Sequence, residues 1–297
     1  MSEIQLQEPP VAVAADADIE FHRLARRWAL GRRWRLIAGL LLAIVIYAVM
    51  IAAVFLIGYL ALGADFERVF GAEDYADPLT YLLAYGTVAL MLPAVLSSFW
   101  IVGCRPIGLL SSVAGRLRWG WVARLWPAAL VIWAVTLAAS LLSDPAALPR
   151  VATVNGWLLL AALAVTPFQA AAEEYVFRGA LAQTVGAWLK NPWWAILLPV
   201  PLFVVGHGYD WVGLTGVTLF AVAVGWLTYR SGGLEAAIVM HVVNNTSLGA
   251  LAAFGLVDLN AVSFDPVLLV VDVAPIAVFV GWVEWLLWRQ RRAAVRG

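Results

Sequence analysis

Eight apolar runs, each close to the length a bilayer demands, set what this chain can become. They cover about 36–63, 79–103, 125–143, 151–172, 192–207, 212–230, 234–254 and 264–288 of its 297 residues. A helix of about 20 apolar residues crosses the hydrocarbon core. In lipid every backbone N–H and C=O must find its partner within the protein, which leaves helices or closed barrels. Runs this long, with no alternation of polar and apolar residues, predict helices. The expected class is therefore all-α, a polytopic membrane protein of about eight transmembrane helices. Composition agrees. The chain is 63% hydrophobic and 13% charged, against about a quarter charged in soluble domains. The single cysteine, Cys104, excludes an internal disulfide and a cysteine-based metal cluster. No cleavable signal peptide is expected, because the first 35 residues lack a short charged start with a short apolar core.

Charge sets the expected orientation. Of 19 Lys and Arg, six lie within 23–35, four between Arg105 and Arg124, and four after Trp288. Arg178, Lys190 and Arg230 fall on the same side of an eight-span arrangement, while Arg68 and Arg150 fall on the other. The positive-inside rule then places both termini in the cytoplasm. The acidic loop with Asp65, Glu67, Glu73, Asp74 and Asp77 faces outward. The expected organisation is a basic tail (1–35), a transmembrane domain (36–288) and a second basic tail (289–297). Residues 1–20 are expected to be disordered. Residues 21–35, "FHRLARRWALGRRWR", read as a basic helix on the membrane surface. The stretch 105–125 is expected to lie along the inner surface. Trp34, Trp119, Trp121, Trp193, Trp194, Trp282, Trp285 and Trp288 read as an aromatic belt, and Gly232–Gly233 as a turn.

The chemistry lies in what apolar spans should not contain. Ionisable groups in a membrane cost from a few to over ten kcal/mol, so each is a functional hypothesis. They are Glu173, Glu174, Arg178, His207, His241, Asp272 and Glu284. In the helix "AAEEYVFRGA", Glu174 and Arg178 stand four apart in the favourable order for an ion pair. Glu173 is rotated about 100° away and is left available, placed to act as a general base. A plainer reading is that both Glu residues cap the inner end of a span and meet water. Phe203 and His207 lie one turn apart, as do His241 and Asn245. A lone intramembrane His usually packs and hydrogen-bonds a neighbouring helix. Two His with Asn245 and a Glu pair on three helices are the equipment of a hydrolase: groups that hold and deprotonate water and stabilise an oxyanion. Asp272, beside Pro275, reads as a helix–helix hydrogen bond before it reads as a polar cavity.

The ordered set EExxxR (Glu173, Glu174, Arg178), FxxxH (Phe203, His207) and HxxxN (His241, Asn245) resembles the CPBP family. Its members are also called Abi proteins or type II CAAX prenyl endopeptidases. The resemblance covers about 150–255. It implies an eight-helix intramembrane endopeptidase whose site lies within the bilayer and opens to the cytoplasm. By position, Glu173 resembles the base that activates water and His207 helps to hold that water. His241 and Asn245 serve the oxyanion, while Glu174, Arg178 and Phe203 support the site. The family is often called a metalloprotease. A Zn²⁺ held by Glu173, His207 and His241, with one position open for water, is the alternative to a metal-free site. The metal-free reading is favoured because Asn245 suits an oxyanion better than zinc.

Counting 1.5 Å per residue raises a conflict. Glu173 falls near the inner face, His241 roughly 10 Å inside it, and His207 near the outer face. Straight helices do not bring them together. Either residues 173–192 fold back into the protein, or the fourth helix continues past Glu173.

The expected function is hydrolysis of peptide bonds in membrane-associated or leader-bearing substrates, prenylated CAAX-type peptides among them. The expected partners are the lipid bilayer and a peptide or protein substrate, with no nucleic acid. A single lysine amid many Ala, Arg and Trp suggests a GC-rich bacterium and its plasma membrane, where prenylated substrates are not expected. Two other classes compete: a non-catalytic scaffold or bacteriocin-immunity protein of the same fold, and a proton-coupled transporter. Inverted repeats would favour the transporter, and the sequence has none that can be seen.

Overall fold

The computed structural model describes residues 20–29, 32–67, 71, 74–143, 153–264, 266 and 268–296. The expected disorder before residue 20, the basic residues Arg68 and Arg150, and Glu73 lie outside the described residues, as does the side chain of Asp272. Eleven helices are used below. They are α1 (Trp34–Leu62), α2 (Pro78–Ala89), α3 (Met91–Ile101), α4 (Trp119–Ser143), α5 (Gly156–Glu174), α6 (Ala182–Trp188), α7 (Pro192–Leu197), α8 (Pro199–Val204), α9 (Trp211–Ser231), α10 (Glu235–Ala253) and α11 (Leu268–Arg296). Among the described residues there is no strand, only one isolated bridge between Ser112 and Gly233.

Helix starts follow from capping chemistry. Asp77, Asn155, Asn191 and Asp210 each accept a hydrogen bond from a backbone N–H of the first turn of α2, α5, α7 and α9. These side chains satisfy donors that have no partner inside the helix. Pro78 and Pro192 occupy the first helical position, where a missing N–H costs nothing. α9 stops at Gly232, which takes the left-handed conformation (φ 71°).

Among the described residues six helical stretches are long and apolar enough to cross a membrane: Trp34–Leu62, Pro78–Ile101, Trp119–Ala139, Gly156–Trp188, Trp211–Ser231 and Glu235–Ala253. They coincide with six of the eight expected runs. The fifth run is the shorter pair α7–α8, Pro192–Val204. At 1.5 Å per residue it reaches about 20 Å, well short of a crossing. The eighth run begins α11, which continues through the expected C-terminal tail to Arg296.

The core centres on α5 and α10, packed antiparallel with α2 and α4 alongside. Asn155 at the start of α5 donates its N–H to Ala253 O at the end of α10. Deeper in, the helices nearly touch: a Cβ on Gly249 would come within 2.8 Å of both Ala162 Cβ and Tyr81 Oη. Tyr81 reaches Thr166 of α5 through a buried 2.9 Å hydroxyl pair. α9 lies against both α10 and α11. The arginine-rich end is tied by Arg118, whose Nε and Nη2 donate to the Glu235 carboxylate at 2.9 and 2.6 Å. At the opposite end Asn260 bridges loops by donating to Asp74 Oδ1 at 3.0 Å and accepting from the Tyr75 N–H at 2.9 Å. The Asn260 bond, with the Ala76 N–H, holds the Asp74 carboxyl below its ordinary value.

Two expectations change here. Residues 105–118 pack across the arginine-rich end of the bundle: Leu110, Ser111 and Ser112 are buried, and Leu234 N–H and Val113 N–H bond across to Ser111 O and Gly232 O. The basic N-terminal stretch is likewise docked on protein: Phe21, His22, Leu24, Ala25 and Ala29 are buried. Its apolar residues share one face, and Gly186 of α6 admits the backbone there, since a Cβ would sit 1.9 Å from His22 O. Trp121 belongs to the core rather than to the aromatic belt.

Candidate active site

The conflict over depth resolves through two local features. α5 does not end at Glu174. It runs into a π-helical turn, Tyr175–Leu181, and on through α6, so that one helical stretch covers Gly156–Trp188. Glu173 is thereby mid-helix, about 26 Å from one end. Such i→i+5 turns widen a helix and recur at functional sites. The other feature is the shortness of α7–α8. The helix ends at Val204, and the turn after it sets His207 against the Phe203 ring inside the bundle. Of the two readings left open by the sequence, the structure takes the one in which the fourth helix continues.

The antiparallel register of α5 and α10 then sets Glu173 against His241 and Gln169 against Asn245. His241 Nε2 lies 3.3 Å from Glu173 Oε2, and His241 Nδ1 donates to Glu174 Oε1 at 2.8 Å. Glu173 and Glu174 point to different faces of their helix, yet the two nitrogens of one imidazole reach both. Glu174 Oε1 also accepts from Arg178 Nη1 at 3.1 Å. Arg178 donates its Nη2 to Ala221 O of α9 at 3.2 Å and stacks its guanidinium carbon 4.3 Å from the Phe203 ring centre. Glu174 is fully buried and Arg178 nearly so, so each charge relies on the other. Among the described residues, Glu174 Oε2 has no hydrogen-bond partner.

Phe203 is the hub of the apolar wall. Its ring centre lies 5.0 Å from that of His207 and 6.1 Å from that of His241. Phe220 of α9 closes the other side of His241, edge-on at 5.1 Å. His207 Nδ1 sits 3.0 Å from Phe203 O. A carbonyl only accepts, so Nδ1 carries a hydrogen and Nε2 is the nitrogen left free of that bond. Through Phe203, His207 and His241 share one wall of the site.

Gln169 was not among the expected site residues, because an amide carries no charge to mark it. It stands four residues before Glu173, one turn away on the same face, and that spacing was the available signal. Its Nε2 donates to Glu173 Oε2 at 2.9 Å, and its Oε1 accepts from Asn245 Nδ2 at 3.1 Å. Asn244 completes the line by donating to Asn245 Oδ1 at 3.0 Å. Glu173 Oε1 has no hydrogen bond among the described residues, and the side chain keeps 14% of its surface. Every expected site residue is therefore in one cluster: Glu173, Glu174, Arg178, Phe203, His207, His241 and Asn245. Glu284 stays apart, clasped by Arg230 at 2.7 Å through both carboxylate oxygens.

Of the metal-ligating types at the site, His241 commits Nδ1 to Glu174, while its Nε2 stands 3.3 Å from Glu173 Oε2. Among the described residues no group of three His, Cys, Asp or Glu is placed to hold an ion.

Residues 155–247, from the cap of α5 into α10, match the family model described as "Type II CAAX prenyl endopeptidase Rce1-like". A relative, "Uncharacterized protein YyaK" of Bacillus subtilis (strain 168), is 37% identical over 100 residues, which is 31% of this chain and 33% of that protein. The match thus spans about a third of the relative's length. No solved structure matches the chain.

Proposed function

We propose, on the premise that the chain belongs through residues 155–247 to the Rce1-like (CPBP) family, that it is an intramembrane endopeptidase whose base is Glu173. The observation that carries this is the split role of one carboxylate: Oε2 accepts from Gln169 and faces His241 Nε2, while Oε1 has no hydrogen bond among the described residues.

A water bound between Glu173 Oε1 and His207 Nε2 gives its proton to Oε1 as its oxygen attacks the scissile carbonyl carbon. The carbonyl π electrons move to oxygen, and the second N–H of Asn245 donates to that oxyanion. As the tetrahedral species collapses, the C–N bond breaks. The proton held on Glu173 goes to the leaving amine, so that water and peptide become a carboxyl and an amine. His241, wedged between Phe203 and Phe220, holds the base in place, and Glu174 with Arg178 holds His241. Fixed donors in a dry site need no reorganisation during reaction, which is where their rate advantage arises. No step needs a metal with these residues, and none is proposed.

The protein is further proposed to be a multi-pass protein of a bacterial plasma membrane with eight passages, the fifth made by the short α7–α8 pair together with the loop that carries the chain on to Asp210 beside Val262. Both termini and the mouth of the site face the cytoplasm. Membrane-anchored or leader-bearing peptides are the proposed substrates, ahead of prenylated ones.

Membrane proteomics on cells carrying wild type or Glu173→Gln tests the reading. The isostere keeps size and hydrogen bonding, so a folded, inserted protein that leaves one substrate uncut is expected. Equal processing in both strains would sink the proposal. One zinc per purified chain, with activity lost to chelator, would recast Glu173, His207 and His241 as ligands.

A further inference from the structure

The line Glu173–Gln169–Asn245–Asn244 has a direction, and its direction comes from one end. An ionised carboxylate only accepts hydrogen bonds. Gln169 must therefore turn its NH₂ to Glu173 Oε2, which turns its carbonyl to Asn245. A carbonyl also only accepts, so Asn245 must turn its own NH₂ toward Gln169 and its oxygen toward the Asn244 amide. With Gln169 swung the other way, both of its bonds would pair like with like. The orientation of Asn245, an amide otherwise free to flip, is thus dictated from Glu173, two side chains away. One Asn245 hydrogen is held by Gln169 Oε1, and the second is left aimed away from that bond.

We infer that Gln169 is a positioning residue which transmits the acceptor character of Glu173 Oε2 to the oxyanion donor, so that an Asn245 presenting N–H follows from an Oε2 that accepts. This rests on the endopeptidase reading and adds to it a coupling between the two halves of the catalysis. The arrangement survives the reaction cycle. The proton taken from water resides on Oε1, so Oε2 continues to accept from Gln169 and Asn245 keeps its orientation while the oxyanion exists. Gln169 is suited to this relay because its side chain is buried. In a dry site water does not compete for its two ends. Its placement one turn before Glu173 puts both links on one face of α5.

The test uses the full chain in nanodiscs and two readouts. One is turnover of whichever membrane protein accumulates uncut beside Glu173→Gln. Gln169→Met, of similar length but without an amide, should lower kcat about 10- to 100-fold with KM changed less than about twofold, somewhat under the loss of a direct oxyanion donor. In an Asn245→Ala background the same substitution should cost less than about threefold, since the relay then leads nowhere. Independent structural roles would instead multiply. Gln169→Glu, which still accepts from Asn245 but presents a like charge to Glu173, should be at least as slow as Gln169→Met. The second readout needs no substrate. The carboxylate stretch of Glu173, isolated as the infrared difference between wild type and Glu173→Gln, should shift when Gln169→Met removes its donor. Wild-type turnover in folded Gln169→Met, multiplying effects in the double variant, or an unmoved infrared band would each overturn the inference. If no protein accumulates in the Glu173→Gln cells, the endopeptidase reading fails, and the infrared band still decides whether Gln169 is coupled to Glu173.

Discussion

α1 and α10 are both apolar and both long enough to cross a membrane, yet they sit in opposite surroundings. Only Leu36 and Gly39 of the 29 residues in α1 are buried, whereas 12 of the 19 residues in α10 are, Glu235 and His241 among them. The greasier helix is the exposed one. In water that would be an inversion, but lipid is as apolar as leucine, so hydrophobicity does not drive one span onto another. Packing does, through small residues that let backbones approach and through polar side chains that find partners. α10 has both: Gly249 against Ala162, and His241 and Asn245 against Glu173, Glu174 and Gln169. The exposed faces of α1 carry Ile44, Val45, Val49, Ile57 and Leu60, which ask nothing of a neighbour.

The comparison can be broken most severely at the ion pair beneath α10. Glu174→Gln should lower stability by about 3–5 kcal/mol, because it strands the buried Arg178. Yield and thermal melting in detergent measure this, and near-wild-type melting would show that the pair is dispensable. Next in size is Asn245→Ala, expected to lower kcat about 10²–10³-fold with little change in KM. Asn245→Asp should be worse, since it sets a negative charge against the oxyanion and against Gln169 Oε1. Loss of melting temperature without loss of kcat would make Asn245 structural. Gly249→Val should then cost about 1–3 kcal/mol by overpacking against Ala162 and Tyr81, read from the same melts. At the small end, Ile57→Ala on the lipid-facing side of α1 should change stability by less than about 0.5 kcal/mol. A large effect there would mean that α1 is covered by a partner. Smallest of all, Asp74→Cys and Arg289→Cys should leave function alone and react with an impermeant thiol reagent from opposite sides. Cys104 should label poorly meanwhile, since it is buried and its thiol is pushed up to about 11. Reaction of both new cysteines from one side would overturn the proposed orientation.

Much of this protein could be read from its residues alone. The apolar runs located six of the spans, several with close boundaries such as 234–254 for Glu235–Ala253, because length against bilayer thickness is a one-dimensional constraint. The ordered Glu, His and Asn motifs named the cluster before any contact was known, since ionisable groups stand out against an apolar background. Capping residues such as Asp77 and Asp210 mark helix starts by purely local chemistry.

What the chain folded in three dimensions decided was depth and partnership. No local signal says that the helix holding Glu173 passes through a π turn and continues to Trp188, or that Pro192–Val204 stops halfway, and those two facts bring His207 to Glu173. Nor does spacing along one helix show that His241 reaches both members of the Glu pair, or that a neutral glutamine joins base to amide. These depend on the register of α5 against α10, which is set by a close approach at Gly249 and Ala162, one turn beyond Asn245 and two turns before Gln169. Helix formation is a property of neighbours in sequence. Register between helices belongs to surfaces that meet only after both have formed.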